Sequence, residues 1–297
     1  MQNNSYRKLN CFDTYQKIEE AVANKTPMSL IRLGDGEGAL MGYPEITNRN
    51  AINRSFKVWF GSKVVSDEEA NFIADRIRNA VKNADIVGIP RDKQILRHPY
   101  YQAVFDSLQH YDLVNEKQIF TDAAIHRYLQ FCLLFRKLLN GEKFLGLITP
   151  RDVCEELRQN FHVKNIKHHP IQGEARFAGD QLTPHFPEGF LQTSENIDPP
   201  YRGAIYLVGA GGLGKVYCQI IKERGGIALD VGALFDAWAE VKSRLVHPAH
   251  SILCYKEIPS ISCEEAFTRF NDLCDHFSLD TERLDISKYK AHRNTMW

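Results

Sequence analysis

Several features that mark particular classes of protein are missing from this 297-residue chain. No apolar run approaches the roughly 20 residues that a membrane-spanning helix needs, and the opening MQNNSYRKLN lacks the apolar core of a secretory signal. The 37 Lys and Arg residues balance 37 Asp and Glu residues, so no bulk positive field attracts nucleic acid or anionic lipid. We therefore expect a cytoplasmic protein with no integral membrane segment and no nucleic-acid partner.

The cysteines form no recognisable framework either. Seven are present, an odd number, and no two form a C-x-x-C pair, so the sequence predicts neither a disulfide scaffold nor a zinc ribbon. A G-x-S-x-G element is also missing, which leaves Ser-His-Asp hydrolysis without support. The 43% of hydrophobic residues is nevertheless ordinary for a chain with a packed core.

Short β-rich apolar runs alternate along the chain with longer segments of helical period. This alternation predicts an α/β fold of the Rossmann-like type, with a mainly parallel sheet and helices on both faces. The predicted strands are 29–33, 85–89, 118–120, 143–148, 165–168, 204–208 and 227–230. The predicted helices are 15–23, 100–111, 123–139, 152–160, 213–224 and 234–244, with two more that begin at the capping-box residues Ser66 and Ser262.

A single domain is predicted to cover residues 1–297. Within it, residues 172–202 form one long irregular stretch that contains four prolines and several aromatics. A stretch of this length inside a compact domain is usually a lid, a binding loop or a linker, and we predict a lid because the strand–helix alternation resumes after it. Residues 279–297 are predicted to form a polar C-terminal tail.

A glycine-rich turn with two carboxylates follows the first predicted strand, at the edge where open parallel sheets bind ligands. If the turn is non-helical, Asp35 and Glu37 face the same way and could hold Mg²⁺ or Mn²⁺ together with substrate phosphate oxygens. Gly34 and Gly36 would let a phosphate approach the backbone, and Arg32 could clamp it. The alternative is a structural turn, with Asp35 as a helix cap and Glu37 in the first helical turn.

Two later strand ends share the sequence Pro-Arg-Asp, which contains Arg91 and Arg151. Proline and aspartate both favour the start of a helix, and two well-formed helix starts would explain them. The arginines add nothing to a helix start, so we interpret them as possible ligands of a shared diphosphate.

A fourth strand end carries G-x-G-x-x-G, formed by Gly209, Gly211 and Gly214. With Asp230 at the end of the following strand, this pattern is compatible with an NAD(P)-dependent oxidoreductase. It also ends in a Gly-Lys pair at Lys215, but a valine follows where a P-loop requires Ser or Thr. The backbone amides of this turn could hold a phosphate, or the turn could simply pack against the sheet.

Other polar residues near predicted strand ends are candidates for acceptor binding or for a catalytic base, although Asp122 and His126 could equally be an exposed pair at a helix start. These candidates are Asp122, His126, Glu174, Asp230 and Asp236.

The run Ser-Leu-Ile-Arg-Leu-Gly-Asp-Gly-Glu-Gly resembles the opening motif of the GT-D fold glycosyltransferases, which carry Asp-x-Glu after their first strand. The region from Ile205 to Gly232 is similar to the second characteristic region of that family. The resemblance extends over roughly residues 29–238. It implies a GT-D type fold in which Asp35 and Glu37, as the Asp-x-Glu pair, assist binding of the donor or of a Mn²⁺ or Mg²⁺ ion.

With the resemblance, we predict a glycosyltransferase of polysaccharide biosynthesis that moves a hexosyl or pentosyl group from a nucleotide-sugar donor to a glycan or protein-linked glycan. A divalent cation and Arg32, Arg91 or Arg151 would neutralise the departing diphosphate. Two alternatives remain open, an NAD(P)-dependent oxidoreductase and a non-catalytic module of a polysaccharide assembly complex. The partners considered include a second copy of the chain and other glycan-assembly enzymes.

Overall fold

The computed structural model describes residues 8–61, 63–131, 134–172 and 185–241. The helix predicted to begin at Ser262, the predicted polar tail and the candidate Glu174 lie outside the described residues.

The strands of the described ranges form one sheet in which every pairing is parallel. They are β1 (Lys8–Leu9), β2 (Met28–Arg32), β3 (Ile86–Ile89), β4 (Ile119–Asp122), β5 (Phe144–Thr149), β6 (Asn165–Pro170), β7 (Ile205–Val208) and β8 (Ile227–Asp230). Their order across the sheet is β1-β4-β3-β2-β8-β7-β5-β6. All seven predicted strands are present within one or two residues of the expected bounds. The two-residue β1 is too short to give a sequence signal.

Twelve α-helices accompany these strands in the described part of the chain. They are α1 (Cys11–Ala23), α2 (Asp35–Met41), α3 (Arg49–Phe60), α4 (Asp67–Lys82), α5 (Asp92–Arg97), α6 (Pro99–His110), α7 (Ile125–Phe131), α8 (Leu134–Leu139), α9 (Cys154–Phe161), α10 (Phe190–Asn196), α11 (Leu213–Glu223) and α12 (Leu234–Trp238). The predicted Rossmann-like α/β class, with a parallel sheet flanked by helices, is confirmed. No helix among the described residues has both the length and the hydropathy that crossing a bilayer requires.

The sheet separates two hydrophobic cores. Successive residues of a strand point to opposite faces, and Leu30 accordingly joins one core while Ile31 joins the other. The same alternation places Leu207 and Val208 in different cores. Because both faces of the central strands are covered, these strands are continuous apolar runs rather than alternating ones, which is why the sequence revealed them.

Helix α4 forms as its sequence predicts. The Ser66 hydroxyl accepts a hydrogen bond from the Glu69 backbone N–H at 3.1 Å, and the Ser66 N–H donates to the Glu69 carboxylate at 2.8 Å. This reciprocal pair is the capping box expected from the Ser-x-x-Glu spacing. One apolar stripe is buried along the helix, at Ala70, Ile73, Ala74, Ile77 and Val81.

Other segments differ from the predictions. The helix predicted over 123–139 is described as two, α7 and α8, and residues 132–133 between them are not described. The helix predicted over 234–244 ends at Trp238, and Glu240 follows with a left-handed φ of 57°. Within the stretch predicted to be irregular, a π-helical turn (His185–Gly189) leads into α10. Phe186 and Phe190 anchor this part in a core, where burying apolar surface stabilises helical structure.

The order of the strands places a crevice at the middle of the sheet. The chain runs outward from β2 to β3 and then β4, whereas β8, β7 and β5 lie on the other side of β2. In open parallel sheets a ligand binds at such a reversal, outside the carboxyl ends of the strands. The fold therefore points to the ends of β2 and β8 as the place for a site.

We expect Gly146→Ala to destabilise the protein, because a side chain at this position of β5 would collide with its neighbour on β7. A Cβ atom at Gly146 would lie 2.1 Å from Cδ1 of the fully buried Tyr206 ring. Overpacking of this kind costs about 1–3 kcal/mol of unfolding free energy, which urea denaturation measures. In a Tyr206→Ala background the same glycine substitution should cost clearly less, and equal costs in the two backgrounds would contradict the explanation.

Candidate active site

The Asp-x-Glu segment forms the first turn of a helix. Helix α2 begins at Asp35, preceded by Gly34 in an extended conformation. Glu37 turns back over this start, and its Oε2 accepts a hydrogen bond from the Gly34 N–H at 2.9 Å. Residues i and i+2 of a helix do not face each other, so the expectation of a non-helical turn with two parallel carboxylates is wrong.

A buried network of four charged side chains joins this turn to the rest of the sheet edge. The Lys215 ammonium lies 2.7 Å from Glu37 Oε1 and 3.0 Å from Asp230 Oδ2. The Arg32 guanidinium lies 3.0 Å from Asp230 Oδ1. Lys215 and Asp230 are only 4% and 3% exposed, respectively, and two positive charges here balance two negative ones. The network is therefore internally neutral.

The electrostatics of the network keep its central groups charged. Burial alone would raise the pKa of Asp230, but the Arg32 guanidinium and the Lys215 ammonium hold that pKa below its ordinary value of 3.8. Burial alone would lower the pKa of Lys215, but the Asp230 and Glu37 carboxylates raise it above its ordinary value of 10.5. Each ion is thus stabilised by its partners against desolvation.

The two cations of the network have few donors left for a ligand. Lys215 also donates to the Gly211 carbonyl at 3.2 Å, so three partners match its three N–H groups. Arg32 donates to the Asp230 and Ala123 carbonyls at 2.9 and 3.3 Å, and to Nδ1 of His126 at 3.0 Å. The same Arg32 nitrogen lies 3.4 Å from His126 Nε2.

Gly232 explains why a glycine follows β8. Its φ of +50° is left-handed, and a Cβ atom there would lie 2.1 Å from a terminal nitrogen of Arg32. The guanidinium thus occupies the space that any larger residue at this position would need.

The glycine-rich turn before α11 is covered by an indole ring. A Cβ atom at Gly211 would lie 2.9 Å from Trp59 Nε1, and one at Gly212 would lie 2.6 Å from the Trp59 ring. A Cβ atom at Gly36, in the first turn of α2, would lie 3.2 Å from the same ring. Trp59 belongs to α3, which the sequence did not predict, so the role of these glycines in packing against it was missed. Their role in phosphate binding stays a prediction.

A cavity of about 430 Å³ opens beside the network. Most of the predicted site residues line it, namely Arg32, Gly34, Asp35, Gly36, Glu37, Arg91, His126, Arg151, Gly209, Gly211, Lys215, Asp230 and Asp236. Gly214 and Asp122 are not among its lining residues. The sequence did not point to several others, notably Arg54, Trp59, Tyr100, Tyr101, Arg127 and His185. What these residues share is a position on a helix or loop that faces the strand ends. This position is visible only once the fold is known.

Carboxylates or an imidazole contact three of the arginines around the cavity. Nε of Arg151 lies 2.7 Å from Asp236 Oδ1, and its terminal amino groups make no hydrogen bond to the described residues. Arg91 Nε lies 3.7 Å from Asp122 Oδ2, and its Nη1 lies 3.5 Å from the Tyr128 hydroxyl. Arg54 donates to the His98 imidazole at 3.0 Å. Both Pro-Arg-Asp arginines thus lie at the cavity, as their position after strands predicted.

Asp35 differs from Glu37 in its surroundings. Both oxygens of Glu37 are engaged, whereas no hydrogen bond or ion pair joins Asp35 to another residue in the described ranges. Asp35 is half-buried in the cavity wall. Burial, and next the Asp35 carboxylate, raise the pKa of Tyr101, so this neighbouring phenol keeps its proton at neutral pH. Asp35 is the acidic side chain of the pair that can reach a ligand.

The described part of the predicted lid contributes His185 to the cavity. Its Nδ1 lies 2.9 Å from Gln172 Oε1, which can only accept, and its Nε2 lies 2.6 Å from the Tyr217 hydroxyl. Burial lowers the pKa of His185 to about 4, so the ring is neutral at physiological pH. His185 therefore closes the cavity wall without adding charge.

We expect Lys215→Met to cost about 3–5 kcal/mol of unfolding free energy, because it leaves two buried carboxylates with Arg32 as the remaining cation of the network. Lys222→Met is the matched control on the same helix, since Lys222 pairs with the more exposed Asp85. The control should lose about 1 kcal/mol or less. Urea unfolding checks both values, and similar losses would show that the buried network does not stabilise the fold.

The depressed pKa of Asp230 predicts a specific sensitivity to acid. A carboxylate with a lowered pKa in the folded state stabilises the fold above its unfolded pKa, and this contribution is lost as the pH falls through the folded value. We expect unfolding free energy to decline below about pH 4, and the decline to be shallower in Asp230→Asn. Denaturation curves between neutral and acidic pH test this, and parallel declines in both proteins would refute it.

Two solved structures show how the fold compares with known ones. The chain is similar to a protein described as a new glycosyltransferase (DUF1792) from Streptococcus sanguinis, with a TM-score of 0.51 and 13% identity over 80% of this chain and 85% of that one. It also matches a highly conserved domain of unknown function 1792, described as having a distinct glycosyltransferase fold, with a TM-score of 0.48 and 14% identity over 78% of this chain and 86% of that one. At these identities, the first comparison establishes a shared fold. A search of curated proteins found no match.

The sequence itself matches a family model over most of its length. The model of the GT-D fold-like domain covers residues 9–238, which include the whole sheet from Leu9 in β1 onward and every element of the charged network. This match confirms the resemblance inferred from the Asp-x-Glu motif. The chain therefore belongs to the GT-D fold-like domain family.

Proposed function

We propose that this protein is a glycosyltransferase that moves a sugar from a nucleotide-diphosphate donor to a glycan or protein-linked glycan. The observation that carries the proposal is an arginine-rich cavity, at the reversal point of the sheet, in which Asp35 has no partner among the described residues. Membership of the GT-D fold-like family supports it, as does the shared fold with a protein described as a glycosyltransferase.

The charge around the cavity favours a ligand that carries several negative charges. Arg32, Lys215, Glu37 and Asp230 neutralise one another. The remaining charged groups of the lining are four arginines, at 54, 91, 127 and 151, and two carboxylates, Asp35 and Asp236. Arg151 pairs with Asp236, and Arg91 pairs with Asp122 outside the lining. Donors fixed in advance around a departing diphosphate stabilise the charge that develops as the sugar–phosphate bond breaks. We assign this role first to Arg91 and Arg151.

A divalent cation fits the cavity in a particular way. Mg²⁺ and Mn²⁺ commonly use one or two carboxylates together with phosphate oxygens of the substrate. Asp35 meets this need, whereas Glu37 would have to leave both Lys215 and the Gly34 N–H. When bound, the cation would supply positive charge at the diphosphate. We therefore propose Asp35 as its ligand and Glu37 as the residue that positions the α2 turn.

Flat aromatic faces of the cavity suit the rings of a nucleotide sugar. Trp59, Tyr100 and Tyr101 line the same cavity as Asp35. Such side chains combine a large apolar face with a polar edge, which a base or a sugar ring can stack against while its hydroxyl groups form hydrogen bonds. The Tyr101 phenol retains its proton and can donate one of these bonds.

The nicotinamide alternative gains no support from this geometry. In that class, the acidic residue after the second strand of the unit binds ribose hydroxyls. Asp230 is instead buried and engaged by both Arg32 and Lys215. Gly211, the glycine that would approach the pyrophosphate, packs against Trp59. These contacts favour donor binding on the arginine side of the cavity.

Release of a nucleoside diphosphate from a panel of nucleotide sugars, with Mn²⁺ or Mg²⁺ and glycan acceptors, tests the proposal. We expect Asp35→Asn to reduce kcat about 100-fold or more, a loss similar to that of other transition-state contacts, while unfolding free energy stays close to wild type. Glu37→Gln should lower both kcat and the unfolding free energy, because the Glu37 carboxylate belongs to the buried network. Asp106→Asn, an exposed change on α6, is the control and should retain activity.

The outcomes separate the remaining readings. Wild-type turnover by a folded Asp35→Asn variant would overturn the site assignment. A protein that binds nucleoside diphosphate but turns over no donor in the panel would instead be a non-catalytic module of a polysaccharide assembly complex.

A further inference from the structure

A second group of ligand-type side chains lies next to the cavity, where the turn after β5 meets the edge strand β6. Asp152, Cys154 and His168 each offer one ligand atom, and the three atoms lie within 4.8 Å of one another. In the described ranges no other trio of His, Cys, Asp or Glu is gathered in this way. No local sequence pattern predicts it, because Asp152 lies in a turn, Cys154 begins α9 and His168 belongs to β6.

The spacing of these atoms is close to what a zinc ion requires. Tetrahedral zinc, with bonds of about 2.0–2.3 Å, places neighbouring ligand atoms about 3.3–3.8 Å apart. Because no two of the ligand atoms are more than 4.8 Å apart, a contraction of at most about 1.5 Å reaches this spacing. Asp152 is exposed and the other two residues are half-buried, so side-chain rotation can supply the contraction.

The hydrogen bonds around the group prepare two of the ligands. His168 Nε2 lies 2.9 Å from the Thr149 carbonyl, so this nitrogen carries the proton and Nδ1 carries the lone pair. In a metal-binding histidine, one ring nitrogen binds the metal while the other usually donates its N–H to a carbonyl, a carboxylate or water. The Cys154 backbone N–H donates to Asp152 Oδ1 at 3.1 Å, and the thiol also bonds to the Asp152 carboxylate. A thiol proton thus lies where a cation would bind both residues.

We propose that Asp152, Cys154 and His168 form a Zn²⁺ site with a fourth position for water. Imidazole, thiolate and carboxylate together suit zinc, whereas the hard cations proposed for the cavity prefer oxygen ligands alone. Binding converts the Cys154 thiol to a thiolate and releases one proton to solvent. The site is distinct from the Asp35 cavity and does not depend on the proposed transferase activity.

The location of this site gives zinc an effect on the cavity. Asp152 directly follows Arg151, whose guanidinium pairs with Asp236 in the cavity wall. Bound zinc would link the turn after β5 to β6 and would restrict the motion of the backbone that carries Arg151.

Cobalt is a spectroscopic probe of the site, because thiolate-bound Co²⁺ has a charge-transfer band that oxygen-bound Co²⁺ lacks. We expect one equivalent of Co²⁺ to produce this band and Zn²⁺ to displace it. Cys154→Ser should abolish the band. Asp152→Asn and His168→Gln should weaken metal affinity about tenfold or more. The band should persist in Asp35→Asn, which separates this site from the cavity, and in the control Cys11→Ala.

A measurement on the unmodified protein covers the case in which a variant fails to fold. Zn²⁺ should protect Cys154, identified by peptide mass analysis, from alkylation by iodoacetamide, and proton release should accompany titration with Zn²⁺. The proposal is overturned if no thiolate band forms, if the band survives Cys154→Ser in a folded protein, or if Zn²⁺ leaves alkylation of Cys154 unchanged.

Discussion

The buried ion network between Arg32, Asp230, Lys215 and Glu37 is the constraint on which the site depends. Its members come from β2, β8, α11 and α2, the elements that meet at the reversal of the strand order. A buried charge without its partner costs several kcal/mol, so these elements have one satisfactory arrangement at the sheet edge. The first turns of α2 and α11 are held there as a result, and the cavity opens beside them.

Neutrality of this network decides what the cavity can bind. Because the inner four charges cancel, the charge of the cavity depends on the arginines of the surrounding elements, of which Arg91 pairs with Asp122 and Arg151 with Asp236. The two acidic residues of the Asp-x-Glu pair also differ in their surroundings. Glu37 faces inward to the buried Lys215, and Asp35, at the first position of α2, faces a different environment in the cavity wall. Two acidic residues in one short motif therefore have different physical tasks.

The fold was largely predictable because it depends on local apolar patterns. Strands buried on both faces are continuous apolar runs, and the capping box at Ser66 fixes the start of a helix within four residues. The partners inside the site were not predictable. The reason for glycine at 211 and 212 is Trp59, and the reason for glycine at 232 is the Arg32 guanidinium. Both are distant in the chain, and no local pattern encodes such contacts. Arg91 and Arg151 were recognised as candidates because each follows a strand in a Pro-Arg-Asp sequence whose arginine a helix start does not need.

The place of β2 in the sheet has a consequence for how the chain folds. β2 is completed on one side by β3 and on the other by β8, whose residues follow some 200 positions later, as in the contact of Arg32 with Asp230. Loop-closure entropy makes such a pairing late and slow. During synthesis, one edge of β2 stays open until residues 227–230 have left the ribosome, with its backbone groups available to other strands. The centre of the sheet is thus the last part of it to form. The Arg32–Asp230 ion pair, which organises the site, can form only when β8 has joined β2.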